Sequence, residues 1–251
     1  LANLGYEAFE EEEERVKGYI PASLFDEHAV QQMTDTLGTQ KATHHEIPPQ
    51  NWNQKWEEEY PSVYVDQFCQ IVPTFREPLP GFQYTMKIDP KMAFGTGHHA
   101  TTRSVIRQMA SLDFGGKVVL DMGCGTGVLG ILARMMGAKH ITAIDIDPWS
   151  EENTQENIRI NEMDGFDIFL GGKEVIPAMN FDLIMANINR NVLLNDIPTY
   201  AQHMEKEGIL ILSGFYTEDQ YMIEDVARKA GLNPLKALTE NNWVALALVK
   251  T

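Results

Sequence analysis

The chain has 251 residues, 43% hydrophobic and 22% charged. That balance buries an ordinary globular core and excludes a collagen-like, low-complexity or wholly disordered chain. Twenty Lys and Arg against 36 Asp and Glu leave a net charge of −16, which disfavours naked nucleic acid and favours a basic partner.

No apolar run is long enough to cross a bilayer, so no membrane partner is expected. Cys69 and Cys124 form neither a disulfide framework nor a zinc spacing, which points to a reducing, cytoplasmic setting without a bound metal. The chain opens at Leu1 with no basic stretch before an apolar one, so no signal peptide is expected. Leu1, Leu4 and Phe9 read as the end of an element that begins earlier. No coiled-coil pattern is visible, and a monomer is expected.

The first elements form a small α+β unit over residues 1–47. Strands are expected at Tyr6–Glu13 and Arg15–Ile20. A helix is expected at Phe25–Leu37, where Ala29, Met33 and Leu37 share a face. The run Glu10–Glu14 reads as a solvated edge strand, with a lure for a basic partner as the rival reading. Residues 48–62 read as a linker bounded by Pro48-Pro49 and Pro61, with Trp52 and Trp56 one helical turn apart.

From residue 63 to 251 the pattern is that of one larger domain. Strands are expected at Val63–Val65, Phe68–Val72 and Tyr84–Ile88. Helices at Thr101–Ser111, Gly127–Met136, Pro148–Asn161, Asn191–Met204 and Glu218–Ala230 then alternate with strands at Lys117–Asp121, His140–Asp145, Phe166–Leu170, Phe181–Asn187 and Gly208–Gly214. Leu232–Leu238 and Trp243–Val249 close the chain. The alternation predicts an α/β fold: a Rossmann-like parallel sheet covered by helices on both faces.

The strongest local signal is Asp121-Met122-Gly123-Cys124-Gly125-Thr126-Gly127, an apolar strand running into a glycine loop and then a helix. Glycines there permit positive φ and close approach of a ligand to the backbone, and the helix N-terminus favours an anionic group. Asp145 ends the next strand, 22 positions after Gly123, where an acid accepts hydrogen bonds from ribose hydroxyls. A dinucleotide fingerprint is GxGxxG; here the third glycine, Gly127, falls one place early, which disfavours a nicotinamide-dependent oxidoreductase. Cys124 within the loop reads as a small residue rather than a nucleophile.

The loop GxGxG preceded by Asp121 resembles the first motif of class I S-adenosylmethionine methyltransferases. In that family the loop wraps the methionine half of the cofactor, the acid matching Asp145 holds the ribose, and the residue matching Ile146 packs on adenine. A second motif, Asp89-Pro90-Lys91-Met92-Ala93-Phe94-Gly95-Thr96-Gly97-His98-His99-Ala100-Thr101-Thr102, narrows the resemblance. With Ala186-Asn187-Ile188-Asn189 and the tail Asn242-Trp243-Val244, it is similar to the bacterial methyltransferases that modify ribosomal protein L11 of the large subunit. The family pattern AFGTGTHPTT reads AFGTGHHATT here, with His98 for Thr and Ala100 for Pro; ANIL reads ANIN, with Asn189 for Leu.

The resemblance implies a methyltransferase that moves methyl groups from S-adenosyl-L-methionine, with S-adenosyl-L-homocysteine as product. The acceptors are lysine and N-terminal amines of L11. It implies a small ferredoxin-like domain over residues 1–47 that recognises the substrate and whose first strand is expected to be missing here. Carried over by position, cofactor contacts fall on Thr102, Gly123, Gly125, Gly127, Asp145, Ile146 and Asn187. Asn187 is the candidate catalytic residue, its carbonyl accepting an amine N–H. Thr101 or Thr102 is expected to cap its helix. His98 reads as a local bonding residue and His99 as a candidate base. Phe94 and Phe215 are candidate substrate walls or core residues. The rival readings are a methyltransferase of another protein, a base methyltransferase, or a silent S-adenosylmethionine-binding module. For a base methyltransferase, Ile188-Asn189 lacks the aromatic that would stack a flipped base.

Overall fold

The computed structural model describes residues 5–12, 15–38, 42–47, 60–89, 91 and 94–251. The expected helical turn with Trp52 and Trp56 lies outside the described residues. The chain divides into two compact units, Leu1–Glu58 and Glu59–Thr251.

In the first unit, β1 (Ala8–Glu12) and β2 (Arg15–Tyr19) form an antiparallel hairpin. Glu10 stands directly opposite Lys17, 4.0 Å from its Nζ, and both are exposed, as a solvated strand requires. Helix α1 (Glu27–Leu37) starts two residues later than expected. Ala22–Leu24 forms a 3-10 turn, and the Asp26 carboxylate accepts from the His28 and Ala29 amides as N-cap.

In the second unit, β3 (Val63–Val65), β4 (Cys69–Pro73) and β5 (Tyr84–Ile88) form a small sheet. The large sheet has seven strands: β6 (Val118–Met122), β7 (His140–Asp145), β8 (Phe166–Leu170), β9 (Phe181–Asn187), β10 (Met204–Tyr216), β11 (Leu232–Glu240) and β12 (Trp243–Lys250). Their spatial order is β8-β7-β6-β9-β10-β12-β11. The five strands β6–β10 run parallel, but β12 is antiparallel to both β10 and β11. The parallel, helix-covered sheet expected from the alternating pattern is present, and its last hairpin is reversed. The cause is local: Asn241 and Asn242, at φ of 49° and 67°, make a two-residue left-handed turn that reverses the chain.

Helices α2 (Ala100–Met109), α3 (Val128–Met135) and α4 (Pro148–Ile160) belong to the apolar layer on one face of the sheet. There Val105, Ile131, Leu132 and Ile158 cluster with Val119, Leu183 and Ile211. Helices α5 (Arg190–Gln202) and α6 (Gln220–Lys229) cover the other face, where Leu193, Ile197 and Ile223 cluster with Leu120, Ile184 and Leu212. Both faces of the central strands are buried, which is why they read as unbroken apolar runs. The strand order reverses between β6 and β9. At such a reversal open α/β sheets form a crevice beyond the carboxyl ends of the strands, the place where their ligands sit.

Asn189 lies just past that crevice. Its side chain accepts from the Asn191 amide at 2.9 Å and caps α5. Asn189→Leu should cost about 1 kcal/mol, lowering the melting temperature by roughly 2–4 °C in a domain of this size. An unchanged melt would show that the cap is idle.

Candidate functional site

The glycine loop leaves β6 at the crevice. At Gly123 φ is +74°, and a Cβ there would stand 2.2 Å from Ile188 Cγ2; at Gly125 φ is +57°, and a Cβ would stand 2.2 Å from the Phe94 carbonyl oxygen. Side chains are excluded at both positions by strain and by contact. Gly127 follows as the N-cap of α3 and has no side chain to offer, while the Gly130 amide in the first turn donates to the Asp121 carboxylate. The amides ahead of Gly130 keep their affinity for an anion.

Asp145 ends β7 beside the loop. One carboxylate oxygen accepts from the Gly125 amide at 2.8 Å and the other from the Asp147 amide at 3.0 Å. Lone pairs remain for a second acceptor role. Ile146, the next residue, is 76% exposed, and Trp149 nearby is 69% exposed. Both are large apolar side chains left open to solvent at the rim of the crevice.

The second motif is bolted to the loop through Thr126. Its amide donates to the Phe94 carbonyl at 2.9 Å, and its hydroxyl donates to the Gly95 carbonyl at 2.9 Å. From there the chain enters α2, where Thr102 is buried. Asn187, at the end of β9, donates from Nδ2 to the Thr102 hydroxyl over 3.5 Å, which turns its Oδ1 the other way. The structure thus brings the glycine loop, Asp145, Asn187 and Thr102 to one end of the sheet.

His99 caps α2: its Nδ1 accepts from the Thr101 amide at 3.3 Å and lies 2.8 Å from the Thr101 hydroxyl. The expected threonine cap is corrected. Thr101 and Thr102 already lie within the helix, which begins at Ala100, so the residue before it takes the role. The His99 ring meets Trp243 edge-on at 4.9 Å and Phe94 at 5.7 Å, and Trp243 packs on Tyr216 at 4.0 Å. Phe94 is exposed, whereas Phe215 is buried in the core and is no part of this wall. His98 bonds locally, to the Thr96 hydroxyl and the Pro61 carbonyl, each at 3.1 Å.

An ion network unread in the sequence fastens this wall. Arg103 and Arg107 of α2 both grip Glu240, at the start of the turn that carries Trp243. Arg107 also reaches Asp66 at 3.2 Å, and Arg103 donates to the His98 carbonyl. Partial burial pushes the Glu240 carboxyl up, and the two guanidiniums outweigh it, so it is held below the usual carboxylate range. Also unread were Asn157 and Asn161, whose signal was available: Asn153, Asn157 and Asn161 recur every four residues on a helix.

Burial pushes the Cys124 thiol up, which removes it as a nucleophile at neutral pH. Among the described residues no cluster of His, Cys, Asp and Glu is arranged to hold a metal, and no helix is long and apolar enough to cross a membrane.

A seven-stranded sheet with its last hairpin reversed, a glycine loop after the first strand and an acid after the second define a class I methyltransferase. A methyltransferase from Pyrococcus furiosus shares the fold, at a TM-score of 0.55 and 20% identity over 66% of this chain and 89% of that one. The family model of ribosomal protein L11 methyltransferase (PrmA) matches residues 2–251, and the chain belongs to that family. Ribosomal protein L11 methyltransferases of Phocaeicola vulgatus and Porphyromonas gingivalis are each 40% identical to it. They align over 98% of this chain and over 90% and 87% of their own lengths. The crystal structure of a ribosomal protein L11 methylase from Lactobacillus delbrueckii subsp. bulgaricus matches 76% of this chain and all of that one, with a TM-score of 0.71 and 28% identity.

Asp121 supplies a stability test of this site. Burial pushes its carboxyl up to about 7 and the Asp145 charge adds to this, against the Gly130 amide that donates to it at 2.9 Å. The folded chain therefore holds this proton more tightly than the unfolded one. The contribution to stability is full below the ordinary carboxylate pKa of about 4 and is lost as pH rises to about 7. Asp121→Asn keeps an acceptor and does not titrate. Its denaturation midpoint should rise relative to wild type between pH 4 and 7; a constant difference would show that the carboxyl is not displaced.

Proposed function

We propose that this protein transfers methyl groups from S-adenosyl-L-methionine to lysine side chains and the N-terminal α-amine of ribosomal protein L11. The observation that carries the reading is the convergence of the glycine loop, Asp145, Asn187 and the Phe94–Thr102 stretch on the β6/β9 crevice. The residues fit the cofactor: Gly123 and Gly125 allow close approach, and the α3 amides ahead of Gly130 would meet a carboxylate, the Gly130 amide being held by Asp121. Asp145 would hold the ribose, Ile146 and Trp149 would flank the adenine, and Gly127 with Thr102 would complete the cradle.

When bound, the cofactor supplies a methyl group already activated on a sulfonium. The protein's task is to hold a neutral amine in line and exclude water. Asn187 Oδ1 accepts an amine N–H without adding charge, and its Nδ2 bond to Thr102 fixes which atom faces the amine. Phe94, His99, Tyr216 and Trp243 form an aromatic wall that keeps the pocket dry and lowers the pKa of an entering lysine. Because His99 Nδ1 is engaged with Thr101, this residue serves the wall and the cap; we assign it no proton transfer. The residue 1–47 unit would recognise L11, its excess of acids suited to a basic ribosomal protein. Such a protein would act in the cytoplasm as a monomer.

Purified unmethylated L11 incubated with S-adenosylmethionine should gain mass in steps of about 14 daltons, one CH2 per transfer. No gain with cofactor binding intact would move the activity to another protein or to a silent module. Asp145→Ala should weaken cofactor binding by about 10–100-fold, the worth of hydrogen bonds to a charged group. Asn187→Ala should lower kcat by about 100-fold with little change in cofactor affinity; full activity in that variant would remove Asn187 from the mechanism.

A further inference from the structure

Helix α4 turns a largely polar face inward, with Ile158 as its buried apolar residue. Ser150, Asn153, Thr154 and Asn157 are all buried. Two of them hold the glycine loop from behind: Thr154 donates to the Gly125 carbonyl at 2.8 Å, and Asn157 Nδ2 donates to the Thr126 carbonyl at 2.9 Å. The same face holds the strand that leads into the second motif. The Asp89 amide donates to Asn157 Oδ1 at 2.8 Å, and one turn on Asn161 pairs with both the amide and the carbonyl of Lys87, at 2.9 and 2.6 Å. Asn157 thus spends its donor on one motif and its acceptor on the other.

We propose that Asn157 is a positioning residue that sets the spacing between the cofactor loop and the second motif, which it holds at Asp89 and which meets the loop at Phe94 and Gly95, so that cofactor binding orders the substrate side of the crevice. This rests on the cofactor reading above. The two motifs meet again at Thr126, whose carbonyl Asn157 holds while its amide and hydroxyl hold Phe94 and Gly95. A peptide bonded on both sides has one place to sit. Leaving its buried carbonyl unpaired frees the loop to turn, because that oxygen then seeks another donor.

The test is Asn157→Asp, compared with wild type by S-adenosylmethionine calorimetry from pH 5.5 to 8. An ionised carboxylate still accepts from Asp89 but has no proton for the Thr126 carbonyl; a protonated one donates again. The surrounding ionisable groups, Asp89, the Lys91–Glu156 pair, Asp121, Cys124 and Asp145, are shared with wild type, so the difference between the two profiles reads the carboxyl at 157 together with its coupling to them, and the uncharged Asn157→Leu has neither. Affinity in the variant should fall by about tenfold at pH 8 and recover as the pH is lowered, with no such recovery in Asn157→Leu. Asn161→Ala, which loses the Lys87 bonds and the Nδ2 bond to the Asn157 main-chain carbonyl but leaves both side-chain bonds of Asn157 in place, should melt lower and keep wild-type affinity. Wild-type affinity in Asn157→Asp at every pH, or a loss that ignores pH and follows the melting temperature, would overturn the proposal. Wild type that binds no S-adenosylmethionine would overturn the cofactor reading and this proposal with it. A measurement that needs no variant is amide exchange: adding S-adenosylmethionine to wild type should slow exchange at Asp89, and unchanged exchange there counts against the coupling.

Discussion

The architecture of the site hangs on one residue's hydrogen bonds. Thr126 gives its amide to Phe94, its hydroxyl to Gly95 and its carbonyl to Asn157. Two chain segments thirty residues apart are thereby closed into one surface. Neither segment is a regular element at this point, so neither has a ladder of its own to fix it. Without those bonds the glycine loop would have the conformational freedom that glycine always brings, and ordering it would cost entropy at the moment of binding. With them, much of the ordering is already done by the fold.

The placement of that surface follows from sheet topology. The glycine loop follows β6 and Asn187 ends β9, the two neighbours between which the strand order reverses. Helices leaving these strands go to opposite faces, so the space above the junction is left uncovered. The reversed hairpin β11–β12 then brings Trp243 to the same end of the sheet, and Glu240 between two arginines keeps it there. A cofactor cradle and an aromatic wall are thus built by separate parts of the chain, and α2 joins them, carrying Thr102 on one turn and Arg103 on the next residue.

His140–Asp145 and Phe181–Asn187, central strands with buried apolar runs, were legible in the sequence to the residue, and the edge strand Phe166–Leu170 was legible through the glycines that bound it, Gly165 and Gly171. β10 was read short at Gly208, since its first residues, Glu205 to Glu207, are exposed and charged and carry no apolar signal. The glycine loop, Asp145 and Asn187 were legible because spacing along the chain places them at strand ends. What stayed hidden were bonds from side chains to distant backbone: Asn157 to Thr126, and Asn161 to Lys87 across 74 positions. A hydrogen bond of this kind leaves no periodicity. The helix cap was misassigned for a related reason. Threonine is the common choice, but a histidine one residue earlier has the same acceptor within reach.

The departures from the family pattern are explained by where they sit. Ala100 occupies the first helical position of α2, where proline is favoured because its missing N–H costs nothing and its ring presets a helical φ; alanine, a strong helix former, adopts that φ without the ring. Asn189 trades an apolar side chain for a cap on α5. His98 extends the bonding of its turn to the Thr96 hydroxyl and the Pro61 carbonyl. Each change acts on how an element begins or on how a turn is anchored. None falls on Gly123, Thr126, Asp145 or Asn187, the groups on which the proposed cofactor and amine sites rest. The departures thus fall at the supports of the proposed site and not on the residues assigned to it.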